Sequence, residues 1–214
     1  TLNLGTLDGN SFATVSGDDS DKLKSIENII GSAAGADNIT GDDATGNTIS
    51  GGGGNDILNG GGGADTLLGE SDADVIHGNA DADYIDGGST ADTLYGDAGS
   101  DVILGSAGAD TLIGGADADS LIGGDDNDTF IFSSSEFGSD TTVTGDGGTD
   151  ILQISDDATI TDTDFSAIRT IETLDLNSNN THDITLGVQA TASGLATVDA
   201  TDATSSSVEI DASA

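Results

Sequence analysis

Aspartate recurs at one fixed spacing through the centre of this 214-residue chain. Nine consecutive nine-residue units run from Gly51 to Ile131 without an insertion, each with Gly first, Asp sixth and a large apolar residue eighth. Evenly spaced carboxylates in a glycine-rich frame offer oxygen ligands on a flexible backbone, and such ligands suit hard cations. We therefore expect the chemistry of this stretch to be cation binding.

The same pattern extends loosely on both sides of the strict units. Two looser copies precede them, and a detached copy follows at 145–153. The acids and amide at the sixth position are Asp37, Asn47, Asp56, Asp65, Asp74, Asp83, Asp92, Asp101, Asp110, Asp119, Asp128 and Asp150.

Each unit predicts a six-residue turn followed by a three-residue strand. Side chains alternate along a strand, so the eighth residue faces inward and the seventh and ninth face outward. One unit reverses the chain once, so two units make an 18-residue coil with two parallel sheets. The aspartates of alternate units then line one edge, which holds Asp56, Asp74, Asp92, Asp110 and Asp128. The aspartates of the units between them line the other edge, which holds Asp65, Asp83, Asp101 and Asp119. Asp128 is expected to end its edge unless Asp150 closes it.

Composition restricts the partners of this chain. It has 40 acidic residues against three Lys and Arg, a formal net charge of -37, and no Cys. Such a charge repels nucleic-acid phosphates and anionic lipids, and no apolar run is long enough to span a membrane. Low hydrophobicity with high net charge is typical of disorder, so something beyond an apolar core must stabilise the fold.

Calcium is the cation that the donor types favour. Mg²⁺ demands a tight octahedron, Zn²⁺ prefers His or Cys, and oxygen ligands on flexible turns suit Ca²⁺. Residues 51–131 hold 17 acidic residues and no Lys or Arg. Turns stacked along two edges leave gaps for about seven calcium ions. Further ions are expected where the looser copies extend the two edges.

These GGxGxDxUx units resemble the calcium-binding β-roll of the RTX (repeats-in-toxin) family, strictly over 81 residues and loosely over 31–153. The resemblance implies that each Ca²⁺ lies between successive turns, bound by Asp carboxylates and by backbone carbonyls of the glycine-rich positions. Non-glycine residues at some of these positions keep their carbonyls. The implied carbonyl ligands are Gly52, Gly54, Gly61, Gly63, Asp72, Asp81, Gly88, Thr90, Gly99, Gly108, Gly115, Asp117, Gly124 and Asp126.

The fold class predicted is all-β, a parallel β-roll or β-solenoid flanked by further solenoid-like segments. We divide the chain into a β flank at 1–30, the calcium-binding roll at 31–153, and β repeats of about 24 residues at 154–214. In this last part Leu174 should align with Val198 and Ile184 with Val208. The pattern is unfinished at both ends, so we expect a piece of a longer repeat protein.

Function is expected to be structural and not enzymatic, because HExxH, GxSxG and Walker motifs are absent. The resemblance implies a secreted bacterial protein, exported by a type I system, that acts outside the cell or at its surface. A surface-layer, sheath or adhesin segment is the first hypothesis. The calcium-binding tail of a secreted enzyme or toxin is the second. An ice-binding face is the weakest, since the outward threonines 93, 111 and 129 form one short row.

Outward strand positions become apolar late in the roll, at Val102, Leu104 and Ile122 on one sheet and Ile113 and Ile131 on the other. An apolar patch on so acidic a surface is expected to be covered. One hypothesis is that residues 132–170, with Phe132, Phe137 and Phe165, fold back over it. The other is self-assembly, in which a neighbouring copy or solenoid covers it.

Overall fold

The computed structural model describes residues 28–42, 45–156, 158–176, 181–187, 190, 192–199 and 205–210. These residues form short strands joined by tight turns, with one 3₁₀ helix at Asp162–Ala167. The strands are β1 (Asn28–Ile30), β2 (Asn38–Thr40), β3 (Thr48–Gly53), β4 (Ile57–Gly62), β5 (Thr66–Ser71), β6 (Val75–Ala80), β7 (Tyr84–Ser89), β8 (Thr93–Ala98), β9 (Val102–Ala107), β10 (Thr111–Ala116), β11 (Ser120–Asp125), β12 (Thr129–Phe132), β13 (Thr142–Asp146), β14 (Ile151–Ile154), β15 (Ala158–Ile160), β16 (Ile168–Arg169), β17 (Thr173–Asp175), β18 (Thr181–Leu186), β19 (Thr197–Asp199) and β20 (Ser205–Ile210).

Two parallel sheets run through the repeats and the coils next to them. One has eight strands in the order β1-β3-β5-β7-β9-β11-β13-β16, and the other has nine in the order β19-β17-β14-β12-β10-β8-β6-β4-β2. Alternate strands therefore join opposite sheets, and the register steps by 18 residues within the repeats, as in Leu67 with Ile85. The prediction of an all-β parallel β-roll with 18-residue coils is confirmed.

The strands are longer than the sequence predicted. Strands β3 to β11 have six residues each, and they cover positions seven to nine of one unit and one to three of the next. The predicted strand length of three residues was wrong, because the backbone hydrogen bonds between coils continue through the glycines of the next unit. Glycine forms these bonds although it has no side chain. Each turn is correspondingly short, three residues in the strict repeats.

The core is a file of eighth-position side chains between the two sheets. Leu58, Leu67, Ile76, Ile85 and the equivalent residues up to Phe130 are fully buried. Phe132 and Phe165 belong to the same core, and Phe137 packs against it. These three aromatic residues therefore do not cover the outward face, and that hypothesis was wrong.

The described residues on either side of the repeats continue the same architecture. Strand β1 pairs with β3, so residues 28–30 already belong to the first sheet. Beyond the repeats, Leu174 pairs with Val198 and Ile184 with Val208, which confirms the 24-residue register. A third sheet, β15-β18-β20, arises in this part. The sheets cross the boundaries at 30 and 153, and the three-part division of the chain stays a prediction.

Candidate metal centre

The sixth-position residues stack through their backbones and side chains along both edges of the roll. The N–H of each donates to Oδ1 of the equivalent residue in the next coil, for example Asp56 to Asp74 and Asp74 to Asp92, both at 2.7 Å. On the opposite edge Asp83 donates to Asp101 at 2.8 Å. The predicted two lines of aspartates therefore form, one on each edge.

Among the described residues, the second oxygen of eleven stacked carboxylates is buried and has no hydrogen-bond partner. Asp37, the first of its edge, is the exception, because its Oδ2 accepts the Ser32 N–H at 2.6 Å. The eleven residues themselves are at most 7% exposed. They are Asp56, Asp65, Asp74, Asp83, Asp92, Asp101, Asp110, Asp119, Asp128, Asp140 and Asp150. A buried, unpaired carboxylate oxygen is costly, so each of these atoms calls for a ligand.

In the repeat units, the glycine at position one makes the space beside the unpaired oxygen. A Cβ on Gly87 would lie 2.6 Å from Asp92 Oδ2 and 3.1 Å from the carbonyl oxygen of Gly105 in the next coil. A side-chain oxygen and a backbone oxygen from consecutive coils thus border one pocket that any side chain would fill. The sequence did not identify this first-position carbonyl, because glycine there was interpreted only as a turn residue.

The second and fourth positions of the strict repeats keep a positive φ whatever residue occupies them. Examples are Gly52 (100°), Gly54 (107°), Glu70 (78°), Asp72 (72°) and Thr90 (80°). Asp and Asn tolerate this region better than most residues, whereas β-branched Thr is strained there. The departures from glycine therefore preserve the turn.

The carbonyls of these positions already have partners in some coils. Ser71 Oγ donates to the carbonyl oxygen of Gly52, and Gly53 N–H donates to that of Ser32, both at 3.0 Å. At position four the side chain of Asp72 is exposed, and its Oδ2 accepts the Gly54 N–H at 3.0 Å. The carbonyl ligands that the resemblance implies stay predictions.

Burial and mutual repulsion raise the pKa values of the stacked aspartates. Desolvation is the largest cause, and neighbouring carboxylates add to it. The pKa rises to about 7 for Asp74, Asp92, Asp101, Asp128 and Asp140, and to about 6 for Asp56 and Asp83. No Lys or Arg lies between residues 25 and 168 to neutralise them.

The donor set fits calcium. Within the described residues, no three His, Asp or Glu side chains gather where they could hold a metal by themselves. A cation between two coils must therefore combine carboxylates with backbone carbonyls, which is a calcium-like set of hard oxygens. His77 is not part of it, since it stacks on Tyr95 at 4.3 Å and its Nδ1 lies 3.0 Å from Asp97 Oδ2.

Two acidic residues continue the stacks where the nine-residue phase is lost. Asp119 N–H donates to Asp140 Oδ1 at 3.0 Å, and Asp150 N–H donates to Glu172 Oε2 at 2.8 Å. The nine-residue pattern predicts neither, because the coils here are 21 and 22 residues long. For Asp140 the sequence offers only an aspartate three residues before an apolar residue, Val143, outside the nine-residue phase.

Comparison with known proteins identifies the repeats. A family model, the RTX calcium-binding nonapeptide repeat, matches in four overlapping copies at residues 43–76, 60–94, 68–103 and 95–130. A search of curated proteins finds no match to the chain. The described residues include no helix of the length and apolarity that crossing a bilayer requires. The family match and the parallel solenoid together show that the repeat region of this chain is a β-roll of the RTX calcium-binding family.

Proposed function

We propose that this chain is a calcium-dependent structural segment of a secreted bacterial cell-surface protein, of the surface-layer, sheath or adhesin type. RTX repeats bind calcium and typically occur in secreted proteins. The observation that carries the proposal is the double stack of buried carboxylates, eleven of which have one unpaired oxygen among the described residues.

Calcium would join consecutive coils. The chain holds each carboxylate in place by a backbone N–H on Oδ1, leaves Oδ2 free, and brings the first-position carbonyl of the next coil beside it. A bound divalent cation supplies the positive charge that offsets repulsion between the stacked carboxylates. Because binding free energy becomes folding free energy, the roll would fold in extracellular calcium and stay unfolded where calcium is scarce.

The flanking coils favour a structural role over a tail on an enzyme. Strands β14, β17 and β19 extend one sheet beyond the repeats with the same parallel pairing. We therefore propose that this segment has no catalytic activity. The alternative is the calcium-binding tail of a secreted enzyme or toxin, and a catalytic domain encoded in the same gene would favour it.

Self-assembly is proposed through the outward face of the eight-stranded sheet. Tyr84 and Val102 are neighbours on this face, and each is 38% exposed. Leu104 and Ile122 are adjacent on the next row. Such a face on a highly charged solenoid suits contact with another copy once calcium has reduced the net charge.

Sedimentation velocity of the full chain in calcium and in chelator tests this assembly. We expect calcium-induced oligomers, and we expect the double substitution Leu104→Ser and Ile122→Ser to abolish them while calcium-induced folding persists. Thr142→Ser with Thr144→Ser on the same sheet is the control and should assemble normally. Unchanged assembly of the Leu104/Ile122 variant would contradict the proposed contact.

A further inference from the structure

The corner between β16 and β17 brings a glutamate to the end of one carboxylate stack. Thr144 pairs with Arg169 in the parallel register, so the next residues in line are Gly145 and Thr170. Gly145 occupies position one of the detached repeat, and Asp150 is its sixth residue. In the following coil Glu172 comes only two residues after Thr170, so this corner is three residues shorter.

The longer side chain of glutamate compensates for the shorter corner. Glu172 Oε2 accepts the Asp150 N–H at 2.8 Å, whereas Asp110 Oδ1 accepts the Asp92 N–H at 2.8 Å in the repeats. Glutamate thus reaches, from a contracted turn, the same place in the stack that an aspartate reaches from a full turn.

The remaining features of a repeat site also occur at this corner. Asp150 is fully buried, and its Oδ2 has no hydrogen-bond partner. A Cβ on Gly145 would collide with both Asp150 Oδ2 and the carbonyl oxygen of Thr170. Thr170 therefore presents its carbonyl where the repeats present that of a first-position glycine. The Asp146 N–H donates to Thr170 Oγ1 at 2.8 Å, which holds this residue against the preceding coil.

The geometry points to a calcium site outside the nonapeptides, formed by the carboxylates of Asp150 and Glu172 and the carbonyl of Thr170. This inference rests on the proposed calcium-dependent function of the repeats. The site joins the roll to the first coil that lacks a glycine and aspartate turn. Calcium would then control the folding of the C-terminal coils as well as that of the repeats.

The test is the number of calcium ions bound by the full chain, together with peptide-resolved hydrogen exchange. Glu172→Gln keeps an oxygen acceptor for the Asp150 N–H and removes the charge. We expect it to lose one ion per chain and the calcium-dependent protection of residues 168–176, while residues 51–128 remain protected. Asp125→Asn removes an exposed charge outside this corner and should keep the wild-type ion number and protection.

A second variant tests the length of the side chain separately from its charge. Glu172→Asp retains the carboxylate but is one methylene too short, so it should also lose the ion. Wild-type ion number in both Glu172 variants would overturn this site while leaving the repeats as calcium sites. If residues 51–128 of the wild-type chain show no calcium-dependent protection, the proposed function fails and this site fails with it.

Discussion

From Asp56 onward, each stacked aspartate uses its two oxygens differently. Oδ1 accepts a backbone N–H from the preceding coil, and Oδ2 remains for the cation. Asparagine at this position retains the acceptor and loses the charge. The chain already contains one such residue, Asn47, whose N–H donates to Asp65 Oδ1 at 2.6 Å at the start of its edge. Asparagine substitutions therefore test the contribution of the charge to calcium binding with little disturbance of the hydrogen-bonded stack.

A substitution in the middle of a stack should weaken more calcium sites than a substitution at its end. Asp101 lies between Asp83 and Asp119, so Asp101→Asn should weaken two sites. Asp140 ends its edge, because Phe165 occupies the corresponding place before Ile168 in the next coil. Asp140→Asn should weaken one site, as measured by titration calorimetry.

Asp125→Asn, an exposed acid, is the control and should weaken none. Equal losses from Asp101→Asn and Asp140→Asn would argue against stacked sites. Of the two alternatives for Asp128, closure of its edge by Asp150 is the one observed, because Asp128 N–H donates to Asp150 Oδ1 at 2.9 Å. We therefore expect Asp128→Asn to behave like Asp92→Asn.

The first-position glycine is predicted to be required for full calcium affinity. Gly87→Ala places a methyl group against Asp92 Oδ2 and the Gly105 carbonyl. Overpacking of this kind costs about 1–3 kcal/mol, so the calcium midpoint of folding should rise several-fold. Gly147→Ala is the matched control, since its nearest atom would be 3.5 Å away. A normal midpoint for Gly87→Ala would show that the pocket beside Asp92 is not a ligand site.

At the scale of the turn, the stacked carboxylates predict an unusual pH dependence without metal. Burial raises their pKa values on folding, from 3.8 to about 7 in Asp74 and Asp101. A raised folded pKa favours folding below the unfolded value and loses this contribution as pH rises through the folded value. The calcium-free chain should therefore gain β structure near pH 4 and lose it between pH 4 and 7.

Circular dichroism of metal-free protein from pH 4 to 8 measures this transition. Calcium binds the ionised carboxylates, so calcium affinity should rise over the same interval and the loaded protein should stay folded at pH 8. Maximal β content of the calcium-free chain at pH 8 would contradict the assignment of these groups as buried and repelling.

The sequence predicted the elements well where the nine-residue phase holds. The phase fixes which residue is buried, as in Leu94, and which carboxylates stack, as in Asp92 with Asp110. Strand length was not predictable, because glycine has no side chain whose alternation would mark a strand. Asp140 and Glu172 were missed because insertion and contraction shift them out of phase, and only the three-dimensional register restores them to the stacks.

The whole molecule is a one-dimensional array in which each coil contacts its neighbours. Stability in such an array depends on the interfaces between coils. Here the interfaces combine a single buried aliphatic residue per unit with carboxylates that repel each other. Removing the cation should therefore affect all coils of the repeat region together.

Calcium titration of the full chain, followed by far-ultraviolet circular dichroism, tests this account most directly. The chain in chelator at pH 7.5 is predicted to be coil-like, because nothing offsets carboxylate repulsion. It should gain β signal cooperatively as Ca²⁺ rises to about 0.1–1 mM, the range of extracellular modules, and magnesium at equal concentration should do much less. A full β spectrum in chelator that calcium leaves unchanged would contradict the central claim that calcium holds the coils together.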